Sequence, residues 1–331
     1  MRKIALFLTA LAALGQAPPA TTTGAKTNPA LIGFQVAPQK GQPVTDLRPE
    51  DIEIRVDGAP QKVAVFQGGS VHASTIPIEL SLLFDCDRNA LSSGTLNPGV
   101  FHEGLLDEFP NVSITVYGFA SGPARLATLT RSQADLIKAL ESPMFAHPVS
   151  TFLLEHISRL ELDASSTPGP AIRMLAIFSN RQSDEGSTSS AAEQERYQRA
   201  IGIAQETGIT IYPVLLVAPL AVQTITTPPS RPRTSTVGGP QFSPPDSSPG
   251  LRAVGDFTSL GMATGGKRIE VLGGGNMLPT ALKWIAEQIR HQYVAGFQPS
   301  TSGEKKSRKV EVIMRNQARG RIIGGARTLL Y

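Results

Sequence analysis

Residues 78–89 read IELSLLFDCDRN, and this stretch decides how the rest of the chain is interpreted. The apolar run over 78–84 predicts a buried strand. Two carboxylates and an amide follow it at Asp85, Asp87 and Asn89. In open α/β sheets, ligands bind at the carboxyl ends of parallel strands. The stretch therefore predicts both a fold class and the end of the sheet where a site would lie.

Buried strands and amphipathic helices alternate from residue 76 onward. Apolar residues at helical spacing (101, 105 and 109) follow the first strand, and further helices are predicted over 132–140, 152–160 and around 197–204. Strands are predicted over 112–119, 125–128, 174–178 and 209–217, the second of them antiparallel to the first. This alternation predicts an α/β fold with a doubly wound, mostly parallel sheet over residues 76–298.

Residues 29–72 have a different pattern, typical of a small β-module. Ile52–Val56 alternates apolar and polar residues, and Asp57-Gly58 is a strong hairpin signal before a second alternating run. Three more strands are predicted over 292–297, 310–314 and 321–326, after a helix that runs to about His291. Neither set makes a credible sheet alone, so residues 305–331 are expected to pack on the amino-terminal module.

Composition excludes several classes of protein. The chain has 331 residues, 40% of them apolar and only 18% charged, with 31 Gly and 26 Pro, which argues against coiled coils, helical bundles and charged disordered chains. The net charge of +4 is local, because residues 303–331 carry eight basic and two acidic side chains. No aromatic platform accompanies them, so we expect a solvated basic edge strand and no nucleic-acid partner.

The first twenty residues are typical of a secretory signal peptide. A basic start at Arg2 and Lys3 precedes an apolar run over 4–14 and a small-residue segment. We expect export to the periplasm or the extracellular space, with no membrane span after the signal is removed.

The single Cys86 excludes an intramolecular disulfide. Residues 221–250 hold seven prolines and no periodic apolar pattern, which predicts a flexible loop.

Several segments resemble the von Willebrand factor A-related family found mainly in acidobacteria. They are residues 40–54 and 56–63, Thr264-Gly265-Gly266, and residues 285–297 followed by 308–312. The resemblance implies a von Willebrand A, Rossmann-like domain with an accessory β-module. It also implies a metal-ion-dependent adhesion site, in which a D-x-S-x-S run, a Thr and an Asp from three loops hold a divalent cation.

The chain departs from that ligand set at three of its five positions. Asp85 matches the first Asp and Thr151 matches the Thr, but Asp87 and Asn89 replace the two Ser, and Asn180 replaces the second Asp. Hard oxygen ligands of this kind suit Mg²⁺ or Mn²⁺, and less well Ca²⁺. A bound cation would leave a position for an acidic group of a partner. In a decayed site, Arg88 or Arg181 would instead pair with the carboxylates.

The sequence favours an exported, non-catalytic binding or adhesion module that recognises a protein or cell-surface ligand through these loops. Two alternatives stay open: a metal-assisted hydrolase that uses Asp85 and Asp87, and a structural envelope protein whose site has decayed. A Cys86–His156 nucleophile and base is a weaker reading, because a lone Cys is more often a buried apolar residue. The glycine run at 273–275 lacks the Lys-Ser/Thr of a phosphate loop and predicts a turn.

Overall fold

The computed structural model describes most of the chain, with gaps at several loops and at the amino terminus. It describes residues 29–38, 44–69, 75–86, 91, 97, 99–119, 123–142, 153–164, 171–179, 191–217, 259–272, 277–299 and 306–330. The predicted signal peptide, the proline-rich segment at 221–250 and the glycine run at 273–275 all lie outside these residues.

Fourteen strands lie within the described residues. In chain order they are β1 (Ala30–Ala37), β2 (Ile52–Val56), β3 (Ala59–Gln61), β4 (Val65–Gly68), β5 (Ile78–Asp85), β6 (Val112–Phe119), β7 (Pro123–Thr130), β8 (Ile172–Ser179), β9 (Ile209–Val217), β10 (Ile269–Leu272), β11 (Tyr293–Phe297), β12 (Ser307–Met314), β13 (Arg321–Ile323) and β14 (Ala326–Leu330).

The largest sheet has six strands in the order β10-β9-β8-β5-β6-β7. All its pairs are parallel except β6 with β7, which is the antiparallel edge that the sequence predicts. Along the chain, β5 is followed by β6 and β7 on one side, and the chain then returns to β8 on the other side. The predicted doubly wound, mostly parallel α/β fold is confirmed by this order.

Helices cover both faces of the sheet. The α-helices are α1 (Gln133–Leu140), α2 (Leu153–Ala164), α3 (Ala191–Thr207), α4 (Leu260–Thr264) and α5 (Met277–Arg290), and a short π-helix spans His102–Leu106. One face buries Leu105, Leu136 and Leu282, from the π-helix, α1 and α5. The other face buries Ile157 and Tyr197, from α2 and α3. Two separate apolar layers therefore enclose the sheet, as a doubly wound fold requires.

The remaining strands form a β-sandwich from both ends of the chain. Its two sheets have the orders β13-β1-β11-β4 and β14-β12-β2-β3, and every pair is antiparallel. Phe34, Ile54, Tyr293 and Val312 belong to the apolar layer between them. Because α5 leads directly into β11, the sandwich and the α/β domain share a continuous connection.

The sandwich sits at the amino ends of the parallel strands. A Cβ at Gly33 of β1 would lie 3.7 Å from the side chain of Ile172, the first residue of β8. At the same end, Gly265 and Gly324 bring the two domains into backbone contact, since a Cβ on Gly265 would lie 2.3 Å from the Cα of Gly324. The carboxyl ends of the strands are therefore left clear of the sandwich.

Two details differ from the sequence expectations. The strand β10 has only four residues, which is too short for its pattern to be recognised in the sequence. It pairs with β9 only from Val214 onward, just beyond Pro213. On the amino-terminal side of Pro213, the Ile211 amide of β9 donates a hydrogen bond of 3.0 Å to the hydroxyl of Thr264. There α4 takes the place that a neighbouring strand would occupy. The single strand predicted over 321–326 is two strands, separated by Gly324 at φ 74°.

We predict that Gly265→Ala lowers the free energy of unfolding by at least about 2 kcal/mol. Gly265 has φ 87° and ends α4, so a Cβ there is strained and also meets the backbone of Gly324. Gly202→Ala is the matched control, because Gly202 lies in α3 with no atom within 4 Å of a new Cβ. Denaturant unfolding should show that this control is neutral or stabilising by up to about 1 kcal/mol. Similar losses of stability in Gly265→Ala and Gly202→Ala would contradict a close contact between the backbones of Gly265 and Gly324.

Glu161 in α2 is a buried carboxyl group on the face opposite α5. It has no exposed surface, and neither of its carboxylate oxygens has a hydrogen-bond partner among the described residues. Burial raises its pKa well above the ordinary value. The folded state therefore holds this proton more tightly than the unfolded state does. Its contribution to stability is complete at low pH and is lost as the pH rises above the ordinary Glu pKa towards the raised one.

We predict that Glu161→Gln is as stable as the parent at pH 4 and more stable by over about 1 kcal/mol at pH 8, because the amide is never deprotonated. Glu155→Gln, on the same helix, removes only a partly exposed ion pair with Arg159, and should change stability by less than about 0.5 kcal/mol. Urea unfolding across this pH range measures both. A parallel pH dependence in the parent and Glu161→Gln would rule out a titrating Glu161.

Candidate functional site

The direction of strand addition reverses between β5 and β8. From β5 the chain builds outward through β6 and β7, and from β8 it builds the opposite way through β9 and β10. The connections at such a point leave the sheet on opposite sides and open a crevice beyond the carboxyl ends of the two strands. The last residues of these two strands are Asp85 and Ser179, which are paired in register.

Asp85 and Ser179 form a buried polar pair at this edge. Neither residue has exposed surface. The Ser179 hydroxyl donates a hydrogen bond of 3.0 Å to Oδ2 of Asp85. Burying a carboxylate is costly unless hydrogen bonds or cations compensate it, so the buried Asp85 depends on partners such as the Ser179 hydroxyl.

The donor set of this pair fits a hard divalent cation. A carboxylate oxygen and a hydroxyl oxygen are the ligand types that Mg²⁺ and Mn²⁺ prefer. Asp85 would supply the negative charge and Ser179 would either orient it or add a neutral oxygen. Within the part of the chain that the structure describes, no group of three or more His, Cys, Asp or Glu side chains could hold a metal ion.

The structure places one of the five predicted ligands and adds another residue to the candidate site. Asp85 lies where the sequence predicts, at the carboxyl end of the central strand. Asp87, Asn89, Thr151 and Asn180 lie outside the described residues, as do Arg88 and Arg181. Sequence reasoning missed Ser179, because a serine at the end of a buried strand has no distinctive spacing.

Cys86 and His156 lie on opposite sides of the sheet. Cys86 is buried in the apolar layer that includes α1 and α5. His156 belongs to α2, whose apolar residues pack on the other face. The sheet lies between Cys86 and His156, so the two side chains cannot act together as a nucleophile and its base.

A second polar cluster lies on the face of the sheet that α2 covers. The Tyr117 hydroxyl donates to Asp163 at 2.8 Å, Arg125 pairs with the same carboxylate, and Glu79 pairs with Arg173 at 3.1 Å. Arg125 holds the pKa of Asp163 below its usual range, whereas burial raises that of Glu79. The cavity between these groups measures about 20 Å³, enough for roughly one water molecule, so this cluster is structural.

Comparison with known proteins finds similar solved structures at low sequence identity. BatB from Bacteroides thetaiotaomicron is 15% identical with a TM-score of 0.38, and the match covers 64% of this chain and 97% of that one. The SpRpn10 VWA domain is 9% identical with a TM-score of 0.38, over 62% and 93% of the two chains.

Proximal thread matrix protein 1 from the mussel byssus, with a zinc-occupied MIDAS motif, is 9% identical with a TM-score of 0.36, over 66% and 48% of the two chains. No family model and no curated protein matches the chain. The assignment of the fold therefore rests on the strand order itself.

We predict that Ser179→Ala destabilises the protein by about 1–3 kcal/mol, because it removes the hydroxyl that satisfies a buried carboxylate. Ser158→Ala is the control, since Ser158 is also buried but bonds only the Leu154 carbonyl of its own helix at 3.1 Å. Ala is the better helix former, so this control should be neutral or slightly stabilising in urea unfolding. Equal effects in the two variants would contradict the role given to Ser179.

Proposed function

We propose that this protein is an exported binding module that recognises a protein or cell-surface ligand through the loops around Asp85. One observation carries the proposal: a fully buried carboxylate ends the central strand at the point where strand addition reverses. Ligands of open α/β sheets bind at this point. The signal-like pattern of residues 1–20 supports export. No helix among the described residues is long and apolar enough to cross a membrane.

We further propose that the module is of von Willebrand A type and that Asp85 anchors a divalent cation. The segments that resemble the von Willebrand A-related family support this assignment. Asp87, Asn89, Thr151 and Asn180 would complete the ligand set directly or through water. Asp87 adds one negative charge relative to the family pattern and Asn180 removes one, so the formal charge of the set is unchanged. A partner carboxylate would then occupy the open coordination position.

Two other functions use the same residues differently. A metal-assisted hydrolase would need Asp85 and Asp87 to act together on one substrate, and it would show turnover without a protein partner. A structural envelope protein with a decayed site would bind no ligand here. We favour binding, because the single carboxylate and hydroxyl described at this edge suit recognition by coordination better than acid–base catalysis.

The proposal is tested by comparing immobilised parent protein with Asp85→Asn for retention of components from an envelope extract of the source cells, in Mg²⁺ and in EDTA. We expect at least one component that the parent retains in Mg²⁺ and loses in EDTA, and that Asp85→Asn retains at least tenfold less, since the variant removes the anchoring charge.

Asp107→Asn is the matched control, because Asp107 is exposed and bonds only His102, far from this edge. It should retain the same components as the parent. Retention that does not differ between the parent and Asp85→Asn would contradict recognition through Asp85. Chemical conversion of a retained component would favour the hydrolase.

A further inference from the structure

Arg327 is a buried cation at the junction between the β-sandwich and the α/β domain. It projects from β14, in the basic carboxyl-terminal segment that the sequence predicts to be solvated, yet it is only 5% exposed. The expectation of a solvated edge is therefore wrong at this residue. Its guanidinium lies against the start of β9, at the amino ends of the parallel strands.

The hydrogen bonds of Arg327 are incomplete. Nη2 donates to the Gly33 carbonyl oxygen at 3.2 Å and to the hydroxyl of Thr210, which links β14 to both β1 and β9. Nε is buried and has no hydrogen-bond partner among the described residues. Within the same residues, no carboxylate lies within ion-pair distance of the guanidinium. Its two acceptors are therefore neutral.

The guanidinium keeps its charge at neutral pH. Burial lowers the pKa of Arg327 to about 10, which still leaves the group protonated at pH 7. An unpaired charge in a protein interior is costly, by several kcal/mol for each ion. Two neutral acceptors offset only part of that cost. A negative charge beside the guanidinium would offset the rest of the cost, and no described side chain provides one.

Two other unsatisfied groups among the described residues belong to the same junction, one a donor (the Tyr212 hydroxyl) and one an acceptor (Oε1 of Gln292). Tyr212 follows Thr210 by two residues, so both side chains project from the same face of β9. The Tyr212 hydroxyl is buried without a hydrogen-bond partner among the described residues, and so is Oε1 of Gln292. The side-chain nitrogen of Gln292 packs on Gly33, where a Cβ would lie 2.4 Å from it. Burial raises the pKa of Tyr212, so its hydroxyl stays protonated and able to donate.

We propose that a small inorganic anion of the size of chloride binds at this junction, between Nε of Arg327 and the hydroxyl of Tyr212. A water molecule could satisfy the two donors, but it would leave the buried charge unbalanced. A monatomic anion would accept a hydrogen bond from each donor and would also balance the charge of the guanidinium. The ion would join β14 of the sandwich to β9 of the α/β domain, so the relative position of the two domains would depend on chloride. This inference is independent of the function proposed for the Asp85 edge.

The test is thermal unfolding of the full chain at increasing sodium chloride, with the ionic strength held constant by sodium gluconate. A ligand that binds only the folded state raises the unfolding midpoint as its concentration rises. Above the dissociation constant, we expect about 2 °C for each tenfold increase in chloride. Arg321→Met is the matched control, because Arg321 is an exposed arginine of the neighbouring β13, and its chloride response should equal that of the parent.

Tyr212→Phe keeps the buried charge and the ring but removes one donor, so it should fold and show a chloride response at least several-fold weaker. Arg327→Met should show none. Crystals soaked in sodium bromide should give an anomalous peak within hydrogen-bonding distance of Arg327 Nε. An unfolding midpoint that is the same in chloride and gluconate, or a bromide-free site in the soaked crystals, would overturn the proposal.

Discussion

The parallel pairing of β5 with β8 is the constraint on which the rest of the structure depends. It places the last residues of the two strands, Asp85 and Ser179, side by side with no exposed surface. It also divides the chain into two halves that build outward in opposite directions, which opens the crevice at the carboxyl end. The sandwich, made from both ends of the chain, occupies the amino end. Since β8 spans eight residues, the two ends of the sheet lie about 23 Å apart.

Each end of the sheet contains a buried polar group, and the two groups have opposite charge. Asp85 at the carboxyl end accepts a hydrogen bond from Ser179, and Arg327 at the amino end donates to Gly33 and Thr210. Burying such groups seldom adds net stability, and apolar residues of similar volume are often as good or better. We propose instead that each of them holds an ion of opposite charge. Asp85 ends the central strand at the carboxyl edge of the sheet, and Arg327 joins two domains that also meet at Gly265 and Gly324 and through a Gln35–Gln288 hydrogen bond.

The fold could be predicted from sequence wherever the pattern is long or the turn chemistry is strong. The continuous apolar run of β9 and the alternation of Ile52–Val56 before Asp57-Gly58 both identify strands. The four residues of β10 are too few for a period, and Pro213 limits their pairing. Asp85 could be predicted because two more polar residues follow it. Ser179 could not be predicted, because a serine at a strand end has no distinctive spacing. The burial of Arg327 could not be predicted either, because Arg327 lies in a run of basic residues that is typical of a solvated edge.

The most direct test of a cation site at Asp85 is thermal unfolding of the parent protein and Asp85→Ala in EDTA, Mg²⁺, Mn²⁺ and Ca²⁺. A cation that binds only the folded state stabilises it by about 2.7 kcal/mol at a hundredfold excess over its dissociation constant. We expect a rise in the unfolding midpoint with Mg²⁺ or Mn²⁺ that disappears in Asp85→Ala. No shift with any of the three ions in the parent protein would contradict a working cation site at Asp85.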